Sequence, residues 1–154
     1  MDRPAAHDRM AAWRAFQWAN TVVMRSLERE MEAEGLPITW FDVLIHLKEA
    51  PDGRLRMQEL AESVVLSRSG TTRLIDRMET AGLVAREPTP GDRRGFYTVI
   101  SDAGRRELDR IWPLHAQGIR EHFTSQLTDE QVPVLYEAMA AVIRANEGPG
   151  SFYA

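Results

Sequence analysis

Residues 57–104 constrain the fold of this chain more than any other stretch. They read MQELAESVVLSRSGTTRLIDRMETAGLVAREPTPGDRRGFYTVISDAG. Over 57–64, Leu60, Ala61 and Val64 fall on one stripe, which predicts a short amphipathic helix. A tight turn follows. Ser67 is then placed to cap a second helix running to about residue 80, with Leu74, Ile75 and Met78 inward and Gly82 as its stop. Residues 83–86 and 96–100 are short and rich in β-formers, so they read as strands. Between them, 87–95 is too polar and too rich in Gly and Pro for a core, and should project as a hairpin tip. Helix, turn, helix, strand, tip and strand make a winged helix-turn-helix. Such a unit offers one element to the major groove of DNA and another to the minor groove, which points to binding rather than catalysis.

The flanks are helical. Over 8–34, Ala12, Phe16, Val23, Leu27 and Met31 recur on one face, and Gly35 with Pro37 ends the run. Trp18 and Val22 lie well round from that face. A helix apolar on two sides needs two packing partners: it is either buried within one subunit or shared with a second. Thr39 can cap a helix over 40–49, and 50–53 is a turn. Ser101 caps a long helix to about 123 that contains Pro113, where a kink or a break is expected. Thr128 and Gln131 have capping-box spacing before a last helix to about 146. The predicted class is mainly α with a small β-hairpin wing. The winged region spans 39–100, the flanking helices 8–36 and 101–146, and a loose tail 147–154.

Charge is distributed to match. The whole chain carries −4. Between 54 and 97, eight arginines face six acids, leaving +2 there and −6 elsewhere. A mildly basic middle between acidic arms suits a protein that meets phosphate through one face. With no cysteine there is no disulfide, thiol switch or Cys-based metal site. No run is long and apolar enough to span a membrane and no signal-type stretch opens the chain, so a cytoplasmic protein without membrane partners is expected.

With these residues in hand, the chain resembles the MarR family of bacterial transcription regulators over nearly its whole length. The resemblance is carried by Glu59-Leu60-Ala61, by Ser67 with Arg73-Leu74-Ile75-Asp76-Arg77-Met78-Glu79, by Gly82-Leu83-Val84-Ala85-Arg86, by Asp92-Arg93-Arg94, and by Ser101-Asp102-Ala103-Gly104. It implies a homodimer with entwined N- and C-terminal helices, a palindromic operator in double-stranded DNA with one recognition helix per half-site, and often a small ligand whose binding releases DNA. A ligand-responsive repressor is the expectation. Three positions depart from the family. Val65 stands where a turn glycine is usual, which is costly if that position needs a positive φ. Gly70 lies inside the recognition helix, at a cost of roughly 1 kcal/mol. Arg56 replaces the usual hydroxyl cap.

On the recognition helix, Ser67, Ser69 and Thr71 or Thr72 can bond phosphates or bases. Arg68 and Arg73 suit a bidentate contact to guanine, and Arg77, further along, suits a phosphate. The bland alternative is a solvated face with Arg77 paired to neighbouring acids. At the tip, Arg94 would enter the minor groove beside Arg93, while Asp92, repelled by phosphate, would hold an arginine in place. Arg54, Arg56 and Arg86 would reach flanking phosphates, adding affinity without sequence information.

For a small aromatic or anionic ligand, the candidates are Trp18, Trp40, His46, Arg14 and Trp112, with Trp13 and His115 nearby. Tryptophans at helical spacing are as readily core or subunit interface. The four histidines show no metal spacing, and no nucleophile elbow, P-loop or dinucleotide fingerprint appears, so neither a metal, a cofactor nor an enzyme is expected. The competing reading is a winged-helix protein-interaction module without DNA binding, which Val65 and Gly70 favour and the set Arg68, Arg73 and Arg94 opposes.

Overall fold

The structure, a computed structural model, describes residues 8–64, 68–89, 91 and 95–147, with 68, 69 and 147 described by their backbone alone. Helix α1 (Arg9–Ala33) opens on Asp8, whose Oδ1 accepts the Ala11 N–H at 2.9 Å. It closes where Gly35 adopts φ +83 and the Leu36 N–H reaches back to the Met31 carbonyl. That left-handed step is why glycine ends this helix.

Helix α2 (Ile38–Glu49) starts two residues earlier than the sequence predicts, and Thr39 is not its cap. Pro37, extended at ψ 140, presents its carbonyl to the N–H groups of Trp40 and Phe41. Proline's preset φ starts the helix by itself, which leaves Thr39 exposed inside the first turn. A 3-10 turn (Pro51–Gly53) then leads into a strand that the sequence did not announce, β1 (Arg54–Arg56).

Helices α3 (Met57–Ser63) and α4 (Arg68–Thr80) follow, then β2 (Val84–Pro88) and β3 (Phe96–Ile100). The sheet is antiparallel with β3 central, in the order β1-β3-β2. Arg56 stands opposite Tyr97, and Glu87 stands opposite Tyr97 on the other side. At the head of α3, the Glu59 carboxylate accepts the Arg56 N–H at 2.7 Å, so the acid supplies the reciprocal half of a capping box that lacks a hydroxyl.

Ser101 is the cap of α5 (Asp102–His122), and does two jobs. Its Oγ accepts the Gly104 N–H at 3.0 Å and donates to the Gly82 carbonyl at 2.7 Å. Gly104 is needed beside it, because a Cβ there would strike the Leu83 carbonyl. Pro113 lies within α5 without ending it. Helix α6 (Gln131–Glu147) opens after Thr128, whose N–H is taken by the Gln131 side chain at 2.9 Å.

One core joins these elements: Leu27 and Met31 of α1, Phe41, Leu44 and Leu47 of α2, Leu60, Ile75 and Met78 of the helix pair, and Leu108 and Ile111 of α5. Helices α1 and α5 cross closely at Gly118, where a Cβ would sit 2.6 Å from Leu27 Cδ2. Nearby, His122 Nε2 and Glu30 Oε1 are 2.6 Å apart. The predicted stripe of α1 is only half realised. Leu27 and Met31 are buried, but Ala12 and Phe16 are exposed, because among the described residues the core-packed side chains of α1 lie in its C-terminal half. The predicted tail beyond residue 147 lies outside the described residues.

Candidate nucleic-acid interface

Helix α4 divides by face. Leu74, Ile75 and Met78 enter the core, while Thr72, Arg73, Asp76 and Arg77 are exposed. Thr71 corrects the sequence reading. It is fully buried, one turn before Ile75 on the inward side, so its hydroxyl cannot reach a nucleic acid, and Thr72 is the exposed one of the pair. Gly70 is accommodated within the helix. Ser67, expected to cap α4, lies outside the described residues, as does Val65, and the side chains of Arg68 and Ser69 are not described.

Arg77 is laid over the ring of Trp40 on α2, its guanidinium carbon 5.6 Å from the ring centre. Together with Asp76, Thr80 and Ala81 these two residues line an open recess on the outer side of α4. The stacking limits the conformations of a long side chain, and its charge stays available.

Arg86 is a second correction. Expected at a flanking phosphate, it is partly buried and turned inward onto α4. Its guanidinium donates to Asp76 Oδ1 at 2.6 Å and to Glu79 Oε2 at 2.9 Å, and its backbone N–H donates to Glu79 Oε1 at 3.2 Å. The acids at 76 and 79, three apart on one helical face, are therefore matched to Arg86 and not to Arg77.

Arg54 and Arg56 share one face of β1, two residues apart, and both lie over Tyr97 of β3, at 5.0 and 5.6 Å from its ring. Arg54 also meets Asp52 at 3.1 Å and Glu87 at 4.0 Å, so much of its charge is matched locally. Tyr97 was missed by the sequence reading. The signal was the alternation Arg-Leu-Arg, which is too short to read as a strand before its partner is known. The base of the wing is closed by the Thr89 N–H on the Gly95 carbonyl at 2.9 Å. Asp92, Arg93 and Arg94 lie outside the described residues.

The residues nominated for a ligand do not come together within one chain. Arg14 pairs with Asp8 at 3.6 Å near the start of α1, and Trp18 is 65% exposed further along it. His46 Nδ1 donates to the Asp42 carbonyl of its own helix at 2.7 Å. Trp112 stacks towards Phe41, with His115 tilted against Phe41 at 4.4 Å. Trp40 alone of the five lines the recess beside α4. Burial pushes the His115 imidazole below its ordinary range, and burial pushes the Asp42 carboxyl up. Among the described residues no cluster of three His, Asp or Glu side chains is placed to hold a metal ion, and no helix is long and apolar enough to cross a membrane.

Comparison with known proteins places this arrangement among relatives. Residues 34–95 match the sequence model of the MarR family. The HTH-type transcriptional regulator YkoM of Bacillus subtilis is 32% identical over 79% of this chain and 78% of its own. Among solved structures, AbsC of Streptomyces coelicolor, a MarR family transcriptional regulator, superposes with a TM-score of 0.82. It is 30% identical and covers 96% of this chain and 99% of its own. Sco3205 of the same organism, a MarR family regulator solved in complex with DNA, also gives 0.82, at 32% identity, covering 96% of this chain and 92% of its own.

Proposed function

The chain belongs to the MarR family of DNA-binding transcription regulators, and from that premise we propose that it acts as a homodimeric, ligand-responsive repressor on a palindromic operator. The observation that carries the DNA-facing part is the outward face of α4. Thr72, Arg73 and Arg77 stand exposed on a helix whose opposite face is fixed by Leu74, Ile75 and Met78. In this reading α4 enters the major groove. Arg73 reaches base edges, with Arg68 five residues earlier, and Ser67, Ser69 and Thr72 bond phosphates or bases. Arg77, steadied by Trp40, and Arg56, steadied by Tyr97, meet phosphate. Arg94 and Arg93 carry the wing into the minor groove, with Asp92 orienting an arginine.

Apolar surface supports the dimer. Trp13, Phe16, Trp18 and Val22 on α1, and Val132, Val134, Tyr136 and Val142 on α6, are all at least 40% exposed. Both sets sit on the terminal helices, and large apolar side chains grouped on exposed helices mark surfaces that meet a partner. A second copy, meeting them with its own terminal helices, would place two α4 helices on one face of DNA. The repressor is released by a small aromatic or anionic ligand near Trp40, where a ring face lies beside the Arg77 cation. Such a ligand acts only by binding the DNA-incompetent form more tightly.

The test is fluorescence anisotropy of the full chain on DNA from its own upstream region, against scrambled DNA, at two salt concentrations. Tight, sequence-selective binding that weakens steeply with salt is expected. Equal, weak binding to both DNAs contradicts it.

A further inference from the structure

Resting on that reading of α4 and the wing, we propose that Arg86, Asp76 and Glu79 form a clamp that fixes the angle between the recognition helix and the wing. Two carboxylates on the DNA-binding unit thereby raise its affinity for a polyanion. Arg86 is then a positioning residue and not a phosphate contact.

The connection between α4 and β2 is where such a clamp is needed. The chain leaves α4 through Gly82 at φ +75, with the Leu83 N–H on the Met78 carbonyl and the Gly82 N–H on the Glu79 carbonyl. This closure, with the Ser101 bonds to the Gly82 and Leu83 carbonyls, anchors one point, and a pivot of strand against helix about it is what the clamp would limit. Packing of Val84 into the core restrains one side of that pivot. On the same face of β2, two residues along, Arg86 adds a polar grip on α4 at Asp76 and Glu79. Glu79 is held doubly, by the guanidinium and by the Arg86 backbone N–H, so it fixes the strand itself as well as the side chain. Residue 86 pairs with Thr98 on β3, and the hairpin that follows carries the wing tip. A turn of β2 about the pivot would swing the tip relative to α4.

Simple electrostatics predicts the opposite consequence for the two acids. A carboxylate facing DNA repels phosphate, so neutralising it should tighten binding. Without Arg86, Asp76 and Glu79 would also repel each other across one helical turn. Held by the planar guanidinium, which can bond two carboxylates at once, they become the second half of a rigid joint. Simultaneous engagement of two grooves depends on such a joint, because a misplaced tip forfeits its contacts while the helix keeps its own.

The experiment is operator binding by Glu79→Gln, Arg86→Ala and the double variant, with Arg86→Lys alongside, each as the full chain and each checked for its fold by circular dichroism. The DNA is the upstream region bound by the unaltered protein. We expect Glu79→Gln to weaken binding about five-fold although it removes a negative charge, with the salt dependence of affinity unchanged. The double variant should be no weaker than Arg86→Ala, as partners in one interaction require. Arg86→Lys, which keeps the charge without the fork, should fall between. Tighter or unchanged binding by Glu79→Gln, or additive losses, overturns the clamp while leaving the DNA-binding reading intact. No selective binding by the unaltered protein overturns both.

Discussion

Arg73 and Arg77 sit one turn apart on α4, and the proposed difference in their work rests on their surroundings. Arg77 rests on Trp40, towards the C-terminal end of the helix, while Arg73 stands nearer its start. Arg73→Ala should therefore cost about 1–3 kcal/mol of operator affinity and relax discrimination at one base position. Competition titrations with single-base operator variants would show this, and uniform weakening across all of them would reassign Arg73 to the phosphates. His115 offers a different handle. Its Nδ1 is buried without a hydrogen-bond partner beside Phe41, and burial holds its pKa below the ordinary histidine value. The unfolded chain then binds a proton more readily than the folded one, so stability falls as pH drops below about 6.5. Asp42, shifted upward, acts with the opposite sign. In the folded chain it holds its proton more tightly, so it favours folding at low pH and that contribution is lost as pH rises through its folded pKa. Denaturant titrations from pH 7 to 5 should show a stability loss that His115→Phe diminishes. An equal pH dependence in the variant would remove His115 from the account.

Elements divide into those whose signals are local and those that depend on a partner. Ser101, Gly35 and Gly82 mark helix ends through their own backbone and side-chain chemistry, and the sequence expectations there agree with the fold. The order helix, turn, helix, hairpin was legible for the same reason. Strand β1 was not, since Arg54-Leu55-Arg56 has one apolar residue and becomes a strand only by pairing with β3. The same limit hid the placement of Arg86 and Thr71. Exposure of an arginine is set by whether acids lie across a turn from it, and a threonine on a helix looks alike whichever way it faces. At the helix start that was legible, Ser101→Ala should lower stability by about 1 kcal/mol for the lost cap. A larger loss is expected if the bond to the Gly82 carbonyl is also counted, since it ties α5 to the end of α4. Thermal melts of Ser101→Ala and Ser101→Asp separate the two parts, because Asp restores the cap but cannot donate to a carbonyl. Equal stability of all three proteins would contradict both roles.

At the scale of the whole molecule, the terminal helices leave one chain unfinished. Val134 is 70% exposed on α6, and among the described residues Trp13, Phe16 and Trp18 in the N-terminal half of α1 are exposed. Val134→Asp should leave the fold of a chain intact, since it sits outside the core. It should still shift the protein from dimer to monomer in sedimentation and abolish tight operator binding with it. A monomer that binds the operator as tightly as before would break the link between the two. The central claim is that two α4 helices, held by this dimer, read two half-sites on one face of DNA. Hydroxyl-radical footprinting of the complex on its own upstream region tests it most directly. The account predicts two protected half-sites related by a two-fold axis, centred about 10 base pairs apart or a multiple of that. A single unsymmetrical footprint, or protection without a repeat, would contradict it.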